Sequence, residues 1–260
     1  MIRDVRTVTT DEAIAAIESA RQAAPGGAIA FDGDGTLWTG DVGEDFFAGF
    51  VAAAAAREEA REALIREAAA ENLPGHGSAT EIAQRIHAAY LAHAFPEERT
   101  CEIITWLAAG WPRTDLARFC ADVLVKVKLA SRLHGETAAI LAHARKVGID
   151  VYIVSASPRT VVEEAAKIVG VENVVAVLES VDETGVVGPA VVRPIPYGPG
   201  KVTRLRERIG TRPLYAAFGD NAFDVPMLRE ATHAFAVRPK QRLRDLESEL
   251  PDLLELSPIM

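Results

Sequence analysis

The chain has 260 residues, of which 49% are hydrophobic, and a formal net charge of −9. This length fits one large domain or two, and the hydrophobic fraction excludes a disordered chain. The negative charge disfavours nucleic acid and anionic membrane surfaces as partners. The chain has only two cysteines, which is typical of a reducing compartment. It shows no apolar signal-peptide core and no uncharged apolar run near ~18 residues. These features predict a soluble cytoplasmic protein. Monomer and homodimer both stay open.

The first half of the chain begins with one helix and one strand and then becomes helical. An amphipathic helix is predicted over 9–24, and the buried strand "AIAF" over 28–31 leads directly into "DGDGT". From Glu44 to about Leu133 the sequence is alanine-rich and helical, including a charged helix over 51–72. We therefore expect an all-helical domain inserted after the first strand.

The second half alternates strands and helices. The predicted elements are a helix at 136–147, a strand at 150–157, a helix at 159–169, a strand at 174–180, a hairpin at 181–192 turning at Gly185, a helix ending at Ile209, strands at 214–220 and 233–238 around a helix at 222–230, and a terminal helix in "KQRLRDLESEL". This alternation predicts an α/β fold with a doubly wound, Rossmann-like parallel sheet. The expected core comprises residues 1–43 and 134–260, and the expected helical cap comprises residues 44–133.

Polar side chains follow three of the predicted strands. They are Asp32 and Asp34, then Ser155, then Asp220 and Asp224. Lys201 opens the helix before the last of these strands. Because sites in parallel sheets form beyond the carboxyl ends of the strands, we expect these side chains to meet. Clustered carboxylates repel one another unless a cation lies among them, and an oxygen-only donor set indicates Mg2+.

A calcium-binding loop at "DGDGT" is the first alternative to consider. With Asp32 as position 1, position 6 is Leu37 instead of glycine and position 12 is Gly43 instead of glutamate. A plain acidic turn is the other alternative. It does not account for the later serine, lysine and aspartates occurring in this order along the chain.

The four motifs "DGDGT", Ser155, Lys201 and "GDNAFD" together resemble those of the haloacid dehalogenase superfamily. The resemblance implies that Asp32 is a nucleophile that becomes an aspartyl-phosphate. It implies that Asp34 protonates the leaving alcohol and then activates water. The dehalogenases of that family lack the second aspartate, so Asp34 favours phosphoryl chemistry.

The same resemblance implies roles for the remaining motif residues. Mg2+ would be held by Asp32, Asp220 and the Asp34 carbonyl, with Asp224 in its outer shell. Lys201 would hold the nucleophile, and Ser155 would bond a phosphoryl oxygen. The small residues Gly33 and Ala156 would let backbone N–H groups approach the phosphate.

The helical insert is similar to the cap of the phosphoserine phosphatase branch, which closes over a small phosphorylated molecule. This likeness implies substrate contacts from a carboxylate after the first motif, here Asp41, and from a cap arginine, here Arg85. The serine motif reads "SASP" instead of a serine followed by two glycines, which leaves choline-like and sugar phosphates open. Aromatic residues of the cap, Trp106, Trp111 and Tyr90, would form either a wall for a cation or helix core.

These features predict a Mg2+-dependent phosphomonoesterase that acts on a small phosphorylated metabolite through an aspartyl-phosphate. A phosphomutase, which moves the phosphoryl group within a sugar, is one alternative. A catalytically weak regulatory or binding module with the same fold is another. Retention of the whole motif set argues against the weak module.

Overall fold

The computed structural model describes residues 5–259, so residues 1–4 and Met260 of the predicted core lie outside it. The α-helices are α1 (Thr10–Ala23), α2 (Val42–Ala52), α3 (Glu58–Ala70), α4 (Ala79–Leu91), α5 (Glu97–Trp106), α6 (Arg113–Lys126), α7 (Gly135–Val147), α8 (Arg159–Val169), α9 (Pro199–Ile209), α10 (Val225–Glu230) and α11 (Gln241–Arg244). The strands are β1 (Arg6–Val8), β2 (Ala28–Phe31), β3 (Asp150–Pro158), β4 (Asn173–Val177), β5 (Glu179–Val181), β6 (Val187–Val191), β7 (Leu214–Gly219), β8 (His233–Val237) and β9 (Leu254–Leu256).

Seven strands form one parallel sheet in the order β1-β9-β8-β7-β2-β3-β4. The expected α/β fold with a doubly wound parallel sheet is therefore confirmed. Strand β2 lies near the middle and pairs with β7 on one side and β3 on the other. Its four residues are fully buried, and the Phe31 ring stacks on Phe218 of β7 at 4.1 Å between centroids. The segments that follow β2, β3 and β7 consequently meet at one edge of the sheet.

Local sequence signals account for the helix ends that were predicted well. Thr9 caps α1 and forms a capping box with Glu12, which satisfies N–H groups at the start of the helix. Helices α7 and α8 end at Gly148 and Gly170, which adopt the left-handed conformation at φ +73° and +67°. The predicted bounds at these ends agree with the structure within about one residue.

The predicted single helix over 51–72 is wrong. Helix α2 ends at Ala52, and α3 begins only at Glu58. The intervening segment is bonded to a distant turn, because the Trp111 indole donates to the Ala55 carbonyl at 3.0 Å. Alanine is the best helix former, but a tertiary hydrogen bond of this kind overrides propensity.

The predicted terminal helix is also wrong. The segment forms the short helix α11 and a 3-10 turn at Glu247–Glu249, after which β9 completes the sheet together with β1. These two strands have three residues each, which is too short for a period of two to stand out in the sequence. The remaining hairpin is β5 and β6, and its turn residue Gly185 has φ +85° as expected.

Consecutive helices α2 to α6 fill the chain from Val42 to Lys126, followed by a 3-10 turn at Leu129–Arg132. Helix α5 packs against β3 and β6, and α6 packs against α8. The division into a core and a cap at residues 44 and 133 stays a prediction. Within residues 5–259, the structure contains no helix with the combined length and apolar character needed to cross a membrane.

We expect Tyr215→Phe to destabilise the sheet without changing the site. The buried Tyr215 hydroxyl accepts from Gly27 N at 2.7 Å and donates to the Ala24 carbonyl at 2.8 Å. Loss of the hydroxyl leaves the buried Gly27 N–H without its partner, which should lower the free energy of unfolding by about 1–3 kcal/mol. Urea unfolding measures this loss, and an unchanged free energy of unfolding would contradict it.

Candidate active site

The loop after β2 is folded tightly around its own backbone. The Gly33 carbonyl accepts from Leu37 N at 2.8 Å, and Gly35 N donates to the Trp38 carbonyl at 2.8 Å. The buried Thr36 hydroxyl donates to Asp32 Oδ2 at 3.4 Å. This geometry fixes Asp32 at the end of the strand with its carboxylate directed into the site.

His134 connects this loop to the start of α7. Burial, together with the nearby Arg238 charge, lowers the pKa of His134, so the imidazole is neutral near pH 7. Because a carbonyl can only accept, Nδ1 carries the hydrogen and donates to the Thr36 carbonyl at 3.1 Å. Nε2 then accepts from the Thr39 hydroxyl at 2.8 Å. The imidazole thus holds both sides of the loop.

Lys201 is fully buried at the base of the site. Its Nζ donates to Asp32 Oδ1 at 2.5 Å, to Asp224 Oδ1 at 2.5 Å and to the Val154 carbonyl at 3.0 Å. An ammonium group has three N–H bonds, and each has an acceptor here. Burial by itself disfavours the charge, but the carboxylates of Asp224 and Asp32 raise the pKa of Lys201 above its ordinary value.

Asp220 and Asp224 follow β7. Asp224 Oδ2 accepts from the backbone N–H groups of Asp220 and Asn221 at 3.1 and 3.0 Å. Asp220 Oδ2 lies 2.7 Å from Lys240 Nζ. Burial raises the pKa of Asp220 to about 6, and the Asp224 carboxylate adds to the shift. Burial also raises the pKa of Asp32, against the opposing charge of Lys201.

The acidic cluster fits a divalent cation. Carboxylate oxygens of Asp32, Asp220 and Asp224 lie within 4.8 Å of one another. Among residues 5–259, Asp220 Oδ1 is buried and has no hydrogen-bond partner. An uncompensated buried carboxylate oxygen beside a second carboxylate is a suitable place for a hard cation. Since Asp220 Oδ1 is the carboxylate oxygen of this cluster that has no partner among residues 5–259, Asp220 is the clearest direct ligand, and Asp32 lies beside it.

The carboxylate of Asp34 is held apart from this cluster. Oδ1 accepts from Trp38 Nε1 and from Val42 N, both at 2.7 Å. Oδ2 accepts from the hydroxyls of Ser157 at 2.7 Å and Ser155 at 3.3 Å. Ser155 lies inside β3 instead of at its end, and its hydroxyl contacts Asp34.

The two glycines of the loop have different neighbours. A Cβ at Gly33 would lie 2.9 Å from Trp38 Cζ2, so the ring of Trp38 requires a glycine at this position. A Cβ at Gly35 would lie only 2.0 Å from Asp220 Oδ2, and Gly35 has φ +85°. Gly35 is therefore the residue that lets the loop approach the acidic cluster.

A cavity of about 330 Å³ opens above the cluster. Its lining includes the predicted Asp32, Asp34, Asp41 and Ala156, and it also includes Gly43, Glu44, Tyr90, Glu97, Ser157, Tyr197, Phe223, Lys240 and Arg242. Asp41 additionally caps α2, because its carboxylate accepts from Glu44 N at 2.9 Å. Helices α2, α4 and α5 thus contribute to the same cavity as the carboxyl edge of the sheet.

Arg85 does not reach this cavity. Its guanidinium donates to the carbonyls of Pro74 and His76 and holds the loop before α4. No local pattern indicates this role, because a surface arginine and a substrate-binding arginine occupy the same kind of helix position. The expected contact between Arg85 and substrate therefore has no support in the structure.

Two of the three candidate aromatic residues belong to the helix core. Trp106 is 4% exposed, and Trp111 packs against the rings of Phe50 and Phe119. Tyr90 does line the cavity, where Tyr197 and Phe223 accompany it. The latter two follow β6 and β7, so only the tertiary fold brings them near Tyr90.

Sequence reasoning missed Lys240 and Arg242. Lys240 pairs with Asp220, and Arg242 Nη1 donates to Glu97 Oε2 of α5 at 2.7 Å. Lys240 follows β8, which lies beside β7 in the sheet. A predicted strand order that includes this pairing would therefore have indicated that Lys240 lies near Asp220. The Arg242–Glu97 pair joins residues 145 apart in sequence, and no local pattern indicates it.

We expect Gly35→Ala to weaken the site far more than Gly26→Ala. Both residues have positive φ, but a Cβ at Gly26 has no neighbour within 4 Å, whereas one at Gly35 collides with Asp220. Gly26→Ala should cost only the left-handed backbone penalty of roughly 1–2 kcal/mol. Urea unfolding and Mg2+ titration by calorimetry separate the two variants, and equal losses of stability and metal affinity would contradict the collision.

Comparisons with known sequences find relatives that match about half of the chain. A protein from Streptomyces azureus named "inhibition of morphological differentiation protein" is 30% identical over 151 residues, covering 56% of this chain and 54% of that protein. A "probable phosphatase" from Mycobacterium tuberculosis is 28% identical over 145 residues, covering 54% of this chain and 50% of that protein. The chain thus spans about half the length of the curated relatives it matches.

Solved structures share the fold at low sequence identity. A protein of unknown function from Bordetella pertussis Tohama I has a TM-score of 0.68 and 18% identity, with 88% of this chain and 97% of that chain covered. Phosphoserine phosphatase in its apo form has a TM-score of 0.50 and 16% identity, with 88% and 92% covered. The haloacid dehalogenase-like hydrolase family model matches residues 29–229. Because that match spans well over half of the chain, this protein belongs to the haloacid dehalogenase-like hydrolase family.

Proposed function

We propose that the protein is a Mg2+-dependent phosphatase that hydrolyses a small phosphomonoester through an aspartyl-phosphate on Asp32. The observation that carries the proposal is the buried contact of Lys201 Nζ with Asp32 Oδ1, beside Asp220 Oδ1, which has no hydrogen-bond partner within residues 5–259. It provides an oriented carboxylate nucleophile next to a place for a cation. The family and the name of the mycobacterial relative support the same activity.

The proposed chemistry has two steps. In the first, an Asp32 oxygen attacks phosphorus, the ester P–O bond breaks, and Asp34 gives its proton to the leaving alcohol oxygen. In the second, Asp34 takes a proton from water as the water oxygen attacks phosphorus. The bond between phosphorus and Asp32 then breaks, which releases inorganic phosphate and restores both aspartates.

Charge neutralisation is the main task of the remaining residues. Mg2+ held by Asp32, Asp220 and, by family likeness, the Asp34 carbonyl would supply positive charge to the phosphoryl oxygens. Lys201 adds fixed positive charge behind the nucleophile, and Asp224 fixes Lys201 in turn. By family likeness we also assign the backbone at Gly33 and Ala156 and the hydroxyl of Ser155 to the phosphoryl oxygens. The Ser155 hydroxyl, which donates to Asp34 Oδ2, would have to turn from that oxygen to reach them. Preorganised groups of this kind provide most of the acceleration in phosphoryl transfer.

The composition of the cavity supports a leaving group without a free carboxylate. The lysine and the arginine of the lining are already paired, Lys240 with Asp220 and Arg242 with Glu97. Asp41 and Glu44 add carboxylates, and the aromatic rings add π-faces. A neutral or cationic alcohol, such as a sugar or a choline-like group, suits this lining better than phosphoserine does.

We expect the wild-type protein to release phosphate from 4-nitrophenyl phosphate with Mg2+ and to stop when EDTA is added. Asp32→Asn should lower kcat by at least about 10³-fold, since it removes the nucleophile. Asp150→Asn is the matched control, because Asp150 lies at the opposite edge of the same sheet and pairs with Arg212.

Three results would contradict the proposal. They are no phosphate release by the wild type, release that persists in Asp32→Asn, and isomerisation of a sugar phosphate without release of phosphate. The last result would indicate a mutase. Complete inactivity together with binding of phosphorylated metabolites would indicate a binding module.

A further inference from the structure

Ser157 has no role in the two proposed steps, although it contacts the residue that moves the proton. Its side chain is nearly buried at 6% exposure and lines the cavity. Its hydroxyl donates to Asp34 Oδ2 at 2.7 Å, compared with 3.3 Å for Ser155. Gly43 leaves room for this hydroxyl, because a Cβ at Gly43 would lie 2.8 Å from Ser157 Oγ.

The two oxygens of Asp34 have chemically different partners. Oδ1 accepts from the Trp38 indole N–H and the Val42 backbone N–H, neither of which can accept a hydrogen bond. A proton on Oδ1 would take the place of one of these donors and would therefore break at least one of the two bonds. Oδ2 contacts only hydroxyl groups, which can rotate from donating to accepting. Oδ2 is consequently the oxygen that can carry the proton without loss of its neighbours.

Of the two hydroxyls, Ser157 is the freer to change its role. The Ser155 oxygen already accepts from Ser157 N at 3.0 Å while it donates to Asp34. Ser157 Oγ is closer to Asp34 Oδ2 than Ser155 Oγ is, and Ser157 lines the cavity. A proton on Oδ2 beside Ser157 therefore lies on the side where substrate would bind.

We propose that Ser157 is a positioning residue that keeps the mobile proton of Asp34 on Oδ2, donating to the carboxylate and accepting from the carboxylic acid. This rests on the proposed phosphatase function. The proton on Oδ2 turns from Ser157 Oγ to the leaving oxygen and passes to it as the ester bond breaks, and Oδ2 regains a proton from the attacking water. Ser157 acts only through Asp34 and changes no bond of its own.

The test compares two aryl phosphates of similar shape. Phenolate is a poorer leaving group than 4-nitrophenolate, so phenyl phosphate depends more on protonation by Asp34. We expect Ser157→Ala to raise the ratio of kcat/KM for 4-nitrophenyl phosphate over phenyl phosphate by about tenfold, which corresponds to one hydrogen bond to a charged group. Ser131→Ala, an exposed serine bonded to the Lys128 carbonyl, is the matched control and should leave the ratio unchanged.

A double mutant separates positioning from a structural effect. In Asp34→Asn, adding Ser157→Ala should change single-turnover release of nitrophenolate by less than about twofold, because residues that act through one another are not additive. Two results would overturn the assignment, even with an unchanged thermal unfolding midpoint. One is an equal loss of kcat/KM on both substrates in Ser157→Ala, and the other is full additivity of the two substitutions in the double mutant. If the assignment of Ser157 fails in this way, the phosphatase proposal still holds as long as the wild type releases phosphate from both substrates and Asp32→Asn does not. Failure of the wild type on both would end both proposals.

Discussion

The site depends on one buried ammonium group. Lys201 donates to carboxylates that follow β2 and β7 and to the Val154 carbonyl of β3. Transfer of such a charge from water is costly, and only a complete set of acceptors offsets it. Helix α9, three strands and the loop after β2 are therefore required to keep one relative arrangement. The same contacts that keep the charge buried also aim Asp32.

The excess of carboxylates over ammonium groups has a second consequence. Three buried aspartates lie close together, and the nearest cations are Lys201 and Lys240. Mutual repulsion and burial leave this cluster poorly neutralised, with Asp220 Oδ1 unpartnered among residues 5–259. A divalent cation would relieve that repulsion, and in the proposed phosphatase it would also balance phosphoryl charge. Stability and the proposed catalysis thus have the same electrostatic requirement.

Asp34 joins the sheet edge to the helical segment above it. One of its oxygens accepts the first N–H of α2, at the positive end of that helix, and the other accepts from serines of β3. Any shift of α2 relative to the sheet would change the hydrogen bonds of Asp34. The Arg242–Glu97 pair makes a second connection across the cavity, from the segment after β8 to α5. The position of the helices over the site and the hydrogen bonding of Asp34 are coupled through these contacts.

The sequence by itself determined the strand–helix alternation, the order of the motifs and the expectation that Asp32, Lys201, Asp220 and Asp224 meet. These features depend on hydrophobic periodicity and on which residues follow the strands of a parallel sheet, and both can be read from local sequence. Only the tertiary structure decided that Arg85 holds a loop, that Trp111 interrupts a long alanine-rich helix, and that Ser157 faces Asp34. Each of these outcomes depends on a hydrogen bond whose partner is determined by packing. The terminal strands β1 and β9 belong to the same class, since residues 6–8 and 254–256 become strands only by pairing within the sheet.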